Sequence, residues 1–131
     1  MITNKIPLVS VVMSCYNSEK FIADAIKTVA NQTYRNWELI IVNDFSTDNS
    51  MRIVKKSITR FGISKKVKII NHEKNCGCGT SLNDAIANSS GELVAVLDSD
   101  DALASKESIK IMVDVHLDHP EASLVYSNYW E

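Results

Sequence analysis

A chain of 131 residues is long enough for one domain with a sizeable core. Its 45% hydrophobic and 23% charged residues exclude a disordered chain, and a net charge of −2 gives no electrostatic case for nucleic-acid binding. No apolar run approaches the roughly 20 residues of a membrane span, and the opening MITNKIPLVS lacks the apolar stretch of a signal peptide, so no leader is expected.

Leu8 to Ser14 (LVSVVMS) is a short β-branched run and reads as a buried strand. Asn17 or Ser18 is placed to cap a helix in which Phe21, Ile22, Ala25, Ile26 and Val29 recur at helical spacing. Trp37 to Val42 (WELIIV) predicts a second strand. Thr47 or Asp48 caps the next helix, with Met51, Val54, Ile58 and Phe61 on one face and Gly62 just past its end. Val67 to Ile70 is a shorter third strand, followed by the loop NCGCGT, Asn75 to Thr80. Leu82, Ala85 and Ile86 mark a third helix that Ser89-Ser90-Gly91 ends. Leu93 to Leu97 is a fourth strand. Ser105 caps a fourth helix with Ile109, Met112, Val113 and His116 inward, closed off by Pro120. Ser123 to Tyr126 (SLVY) reads as a fifth strand. Short apolar strands alternating with helices predict a doubly wound α/β fold, with a mostly parallel sheet covered on both faces.

The remaining groups read mostly as structure. Lys55, Lys56, Lys65, Lys66 and Lys68 crowd one helix end, and a solvated surface accounts for them better than a binding patch. Met13, Met51 and Met112 read as core. The cysteines are Cys15, Cys76 and Cys78, an odd number with two of them one residue apart, which makes no disulfide framework and predicts a reduced, cytosol-facing protein. Cys15 reads as a small buried residue. Cys76-Gly-Cys78 has no second Cys or His pair at zinc spacing and His72 reads as unpaired, so no zinc site is expected. The loop NCGCGT is not a P-loop, because no Gly-Lys-Ser/Thr follows, and it lacks the dinucleotide G-x-G-x-x-G spacing.

In such sheets, ligands bind at the carboxyl ends of the strands. The polar residues fall there: Ser14-Cys15-Tyr16-Asn17 after the first strand, Asn43-Asp44-Phe45-Ser46-Thr47-Asp48 after the second, and Asp98-Ser99-Asp100-Asp101 after the fourth. Adjacent carboxylates are tolerable where a cation neutralises them, and acids at i and i+2 on an extended segment both reach a hard divalent ion. The usual task of such an ion is to hold phosphates. An exposed, helix-capping turn is the competing explanation of the acids. Tyr16 reads either as core or as a stacking platform for a base.

The order of these motifs resembles the donor-binding half of family 2 glycosyltransferases, which have a GT-A fold. The stretches that carry it are VSVVMSCYNSEKFIADAI, QTYRNWELIIVNDFSTDNS, NCGCGTSLNDAIANSSGELVAVLDSDD and VYSN, together nearly the whole chain in the family's order. The resemblance implies a nucleotide-diphosphate sugar donor, commonly a UDP-sugar, and an inverting transfer to a glycan, lipid or protein acceptor. Ser14, Tyr16 and Asn17 match the nucleoside pocket, and Asp44 matches the acid that hydrogen-bonds the base. Asn83 is the Asn of the helix motif. Asp98-Ser99-Asp100 matches the family's D-x-D, with Asp100 on a Mg²⁺ or Mn²⁺ and Asp98 on the ribose or the metal's shell. Asp101 matches a frequent extra acid.

Several positions depart from the family. Asn43 stands where an acid is common, Phe45 where Gly is common, Leu82 where many members have Arg, and Ala104-Ser105 where a Pro is usual. The general base of the family lies well beyond its D-x-D. Residues 1–131 are therefore expected to be the donor-binding part of a longer enzyme, inactive alone, with the base beyond Glu131 and surfaces whose exposure favours a dimer. The expected location is the cytoplasm or the cytoplasmic face of a membrane. Two other readings stay open at this level: a nucleotide-sugar-binding module without catalysis, and a receiver-like phosphoacceptor domain. The second lacks Lys and Thr strand ends in suitable order.

Overall fold

The structure is a computed structural model that describes residues 6–127. Its elements run β1 (Val9–Cys15), α1 (Ile22–Ala30), β2 (Trp37–Asn43), α2 (Ser50–Phe61), a 3₁₀ turn (Ser64–Lys66), β3 (Val67–Asn71), α3 (Cys78–Ala87), β4 (Leu93–Val96) and α4 (Ser108–Asp118). The four strands form one sheet in the order β3-β2-β1-β4, and every pairing is parallel. Val9 pairs with Trp37 on one side and with Leu93 on the other, which makes β1 the central strand.

Strand alternation sorts the apolar residues into two cores. Val9, Val11, Met13 and Cys15 of β1 and Trp37, Leu39 and Ile41 of β2 face α1, α2 and α4 through Ile22, Ile26, Val54, Ile109 and Val113. Val12, Ile40 and Val42 face the other way, against Ala85 of α3 with Leu82 at its margin. The chain moves outward from β1 to β3 with α1 and α2 on one face, then returns past β1 to β4 with α3 on the other. Crossovers of a single hand require that change of face when the direction of travel reverses.

The return needs a close approach at Gly91. A Cβ there would lie 2.5 Å from Ser10 Oγ and 2.8 Å from the Leu8 carbonyl oxygen. The gap is used: Gly91 N–H donates to Ser10 Oγ (2.8 Å), and Ser10 donates to Glu38 (2.6 Å).

The doubly wound α/β expectation stands, with corrections. Ser123–Tyr126 forms no strand. Leu124 is 76% and Tyr126 83% exposed, so a run whose apolar side chains face solvent has nothing to hold it in the sheet. Among the described residues, no strand covers the outer edge of β4, where Val94 and Val96 are exposed. Asn128 and Trp130-Glu131 lie outside the described residues. Helix α1 starts at Ile22 with no side-chain cap. Phe21 is exposed, as is Ile86 of α3, whereas Ser81 is buried in its place. Ser105 caps only the turn before α4, where its Oγ accepts from Glu107 N–H (3.2 Å). Gly62 ends α2 in the left-handed conformation, as expected.

Helix α4 is docked by a buried polar side chain. Gln32 accepts from Ile109 N–H (3.0 Å) and donates to the Ser105 and Thr28 carbonyls (2.7 and 3.1 Å). Gln32→Leu would orphan a buried helix N–H and is expected to cost about 1–3 kcal/mol, read as a lower urea midpoint at unchanged m-value.

Candidate functional site

The direction of travel reverses between β1 and β4, which is where ligands bind in open α/β sheets. Two loops flank that point, 16–21 after β1 and 97–103 after β4. They are tied across it by a buried hydrogen bond between the hydroxyls of Ser18 and Ser99, 2.6 Å apart. Ser99 is therefore a brace beneath the acids on either side of it. Ser14 lies half-buried at the end of β1, and Tyr16 is 49% exposed at the rim, so it is not core.

The carboxylates of Asp98, Asp100 and Asp101 are exposed, and their oxygens converge within 4.8 Å of one another. Burial, then the charges of Asp101 and Asp100, push the Asp98 carboxyl above the usual carboxylate range. An all-oxygen, strongly anionic donor set of this kind fits a hard cation such as Mg²⁺ or Mn²⁺. Asp98 and Asp100 are the residues that would hold it.

Asn17 serves another loop than its own. Its backbone is left-handed (φ 48°), and its side-chain oxygen accepts from Thr47 N–H (2.8 Å) and Asp48 N–H (3.3 Å). Asp48 and Glu19 answer from the two sides, Asp48 accepting from Glu19 N–H (3.2 Å) and Glu19 from Asn49 N–H (2.9 Å). The β1 and β2 loops thus form one stitched unit: Asn17 caps the β2 loop instead of its own helix, while Asp48 both reaches Glu19 and accepts from Ser50 N–H at the start of α2 (2.8 Å).

Asp44 continues the ladder one step past β2: its N–H donates to the Cys15 carbonyl (2.9 Å), while His72 N–H donates to that of Asn43 (2.9 Å). That register sets the two side chains together. Asp44 is 2% exposed. Its Oδ1 accepts from Cys76 N–H (2.7 Å) and contacts His72 Nδ1 (2.9 Å), and its Oδ2 accepts from Gly77 N–H (2.9 Å). Burial alone would raise the Asp44 pKa, but the bonds from Cys76, His72 and Gly77 outweigh it and hold it below the ordinary value. His72 Nε2 meets Asp84 of α3 at 2.8 Å. The bond to Asp44 is the largest cause of a raised His72 pKa, opposed by burial and helped by Asp84.

His72 is thus paired on both ring nitrogens, which overturns its reading as unpaired. It sits at the end of β3, and the strand-end rule applied to that strand would have singled it out. Asn83, by contrast, lies exposed on α3, and among the described residues no hydrogen bond ties it to the strand ends.

The departures have physical accounts. Asn43 donates to Asn71 (3.0 Å) and accepts from Ser46 N–H (3.0 Å), a dual role that a carboxylate would not fill. Leu82 packs on the α3 core. Phe45 keeps the turn but holds φ at 64°, a left-handed conformation that costs a bulky residue roughly 1–2 kcal/mol.

The parallel sheet, its reversal beside β1 and the acidic loop at that point define a GT-A glycosyltransferase fold. The sequence profile of glycosyl transferase family 2 matches residues 10–131, and the chain belongs to that family. It is 34% identical over 122 residues to UDP-Glc:alpha-D-GlcNAc-diphosphoundecaprenol beta-1,3-glucosyltransferase WfgD of Escherichia coli, covering 93% of this chain and 46% of WfgD. The crystal structure of S. aureus TarS 1-349 in complex with UDP-GlcNAc superposes with a TM-score of 0.77 at 32% identity, covering 86% of this chain and 32% of that one. A mannosyltransferase from Pyrobaculum calidifontis, in complex with GDP-Man and Mn²⁺, shares the fold at a TM-score of 0.81 and 21% identity, over 88% of this chain and 34% of that one. The chain spans less than half the length of the curated relatives it matches.

Two outcomes follow from this geometry. Phe45→Gly is expected to leave the fold intact and raise stability by up to about 1 kcal/mol, as release of left-handed strain outweighs the backbone entropy of Gly; thermal unfolding reads it. The His72 pair stabilises fully below the unfolded imidazole value of about 6.5 and is lost as pH rises through the raised folded value. The lowered Asp44 contributes above the unfolded carboxylate value and is lost as pH falls through its folded one. In chelator, urea midpoints should therefore fall on going from neutral to alkaline pH, and His72→Gln should flatten that limb.

Proposed function

We propose that residues 1–131 form the nucleotide-sugar-binding part of an inverting glycosyltransferase that uses a UDP-sugar as donor. The observation that carries this reading is the convergence of Asp98, Asp100 and Asp101 at the reversal point of a GT-A sheet. The UDP complexes of a 32%-identical relative support the choice of nucleotide.

In this reading, Ser14 and the exposed ring of Tyr16 line the nucleoside pocket, and Asn17 holds its far wall through the β2 loop. Oδ2 of Asp44 has accepted one N–H and keeps a lone pair for a base N–H. At 2% exposure that contact requires the 75–77 loop to shift. Asp98 faces the ribose or the metal's shell, and Asp100 holds the metal. Ser99 fixes the spacing of both through Ser18. A bound Mg²⁺ or Mn²⁺ supplies electrostatic stabilisation of the charge that builds on the departing diphosphate. The arginine absent at Leu82 removes one phosphate contact and places more of that load on the acids. Asn83 is assigned to the exposed end of the donor site on family resemblance. The base that deprotonates the acceptor hydroxyl is assigned to none of the described residues. No described helix is long and apolar enough to cross a membrane. On family resemblance, the reaction is assigned to the cytoplasm or the cytoplasmic face of a membrane.

A nucleotide-sugar-binding module without catalysis shares every binding contact and differs only in turnover. Calorimetric titration of UDP with and without Mn²⁺ tests the shared part. Binding should depend on Mn²⁺ and weaken at least about tenfold, or 1.4 kcal/mol, in Asp100→Asn. Metal-independent binding untouched by that substitution would overturn the reading.

A further inference from the structure

The Asp44–His72–Asp84 arrangement carries an electrostatic requirement that hydrogen-bond geometry alone does not meet. A neutral imidazole has one N–H. With carboxylate oxygens at 2.9 Å from Nδ1 and 2.8 Å from Nε2, one of the two contacts would set lone pair against lone pair. A positive charge, whether a proton or a metal ion, between the ring and a carboxylate relieves that contact. A second proton supplies it in one state of the protein. The third group at this place points to another: Cys76 Sγ, a His72 ring nitrogen and an Asp44 oxygen all lie within 4.8 Å of one another, and the nitrogen facing Asp44 is Nδ1.

We propose that Asp44, His72 and Cys76 form a binding site for a borderline divalent transition ion of the zinc class, separate from the all-oxygen acids after β4. The donor set is one imidazole nitrogen, one carboxylate oxygen and one thiolate, which selects Zn²⁺-like ions over Mg²⁺. Asp84 completes the arrangement from behind. It accepts the Nε2 hydrogen and so directs the Nδ1 lone pair at the ion, the usual carboxylate–histidine–metal relay. Bonds of roughly 2.0–2.1 Å to Nδ1 and Oδ1 would subtend about 90° at the present separation, and parting the pair by about half an ångström gives a tetrahedral angle. Cys76 is exposed and its thiol donates to the Lys74 carbonyl (3.4 Å), a weak bond that it would exchange for the ion, and a water would complete the shell. One divalent ion displaces the Nδ1 proton and the Cys76 thiol proton, both leaving to solvent.

The site was not legible from spacing, because Asp44 lies 28 residues before His72 and meets it only through the pairing of β2 with β3. It also has a consequence for the loop. Asp44 already binds the N–H groups of Cys76 and Gly77, so an ion here would lock the 75–77 loop against the end of β2. The site shares Asp44 with the donor reading: an ion that locks the 75–77 loop closes Asp44 to a base, so the two occupants exclude each other, and a titration without nucleotide reads this site apart from Asp98, Asp100 and Asp101.

Cobalt(II) is the probe. Titrated into the chain, it should produce a thiolate-to-cobalt charge-transfer band that saturates at one ion per chain. The band should vanish in Cys76→Ser, an exposed substitution that leaves the core untouched, and in His72→Gln. It should survive in Cys78→Ser and in Asp100→Asn. Asp84→Asn, which keeps the ligands and weakens only the relay, should reduce the affinity about 10–100-fold. No band in the wild-type chain would overturn the proposal. So would a band that persists in Cys76→Ser or is lost in Cys78→Ser, because the ion would then belong to the other cysteine.

Discussion

The pairing of β1 on both edges is the constraint on which the rest of the molecule depends. A central parallel strand must be apolar on both faces, and Val9 to Met13 are buried throughout. Because β2 and β3 lie to one side of it and β4 to the other, the chain must reverse its direction of winding beside β1. The reversal parts the loops that leave β1 and β4 and, among the described residues, creates the one place at this sheet end where two loops diverge from adjacent strands. Backbone register brings the polar residues to that place, and side-chain bonds such as Ser18 to Ser99 then hold them there.

The same register operates one strand over. Asp44 and His72 each extend a ladder by one residue, and their side chains meet for that reason. A buried carboxylate is costly unless it is satisfied, and Asp44 is satisfied by two loop N–H groups and an imidazole. That demand orders the loop before α3, which crosses beneath the sheet and delivers the chain to β4. The acid at β2 and the acids after β4 are thus coupled by the connection between them, although they belong to different clusters.

The departures from the family pattern are absorbed locally. Asn43 exchanges charge for a donor and an acceptor between two strand ends. Leu82 exchanges a surface cation for core contact. Phe45 is the one that carries strain, because a turn evolved around glycine must here accommodate a Cβ. None of the three disturbs the brace between Ser18 and Ser99, so the acidic loop keeps its place.

Strand and helix order, the two-faced core, the polar end of β1 and the acidic ends of β2 and β4 were legible in the residues alone, because apolar periodicity is local and strand ends follow from it. The family was legible for the same reason: its motifs are contiguous. The cap residues were legible only in part: Asp48 does accept from Ser50 N–H at the start of α2 (2.8 Å), but it also reaches Glu19, and Asn17 finds its partners about thirty positions away instead of in its own helix. The last apolar run shows the opposite limit. SLVY has the composition of a strand, but a strand also needs a neighbour, and its exposed side chains have none. His72 is the fullest case. Its place after β3 marks it as a strand-end residue, but only the parallel pairing of β2 with β3 and the packing of α3 bring two carboxylates and a thiol to its ring. Local chemistry sets what each residue is able to do, and the register of the sheet decides which residues do it together.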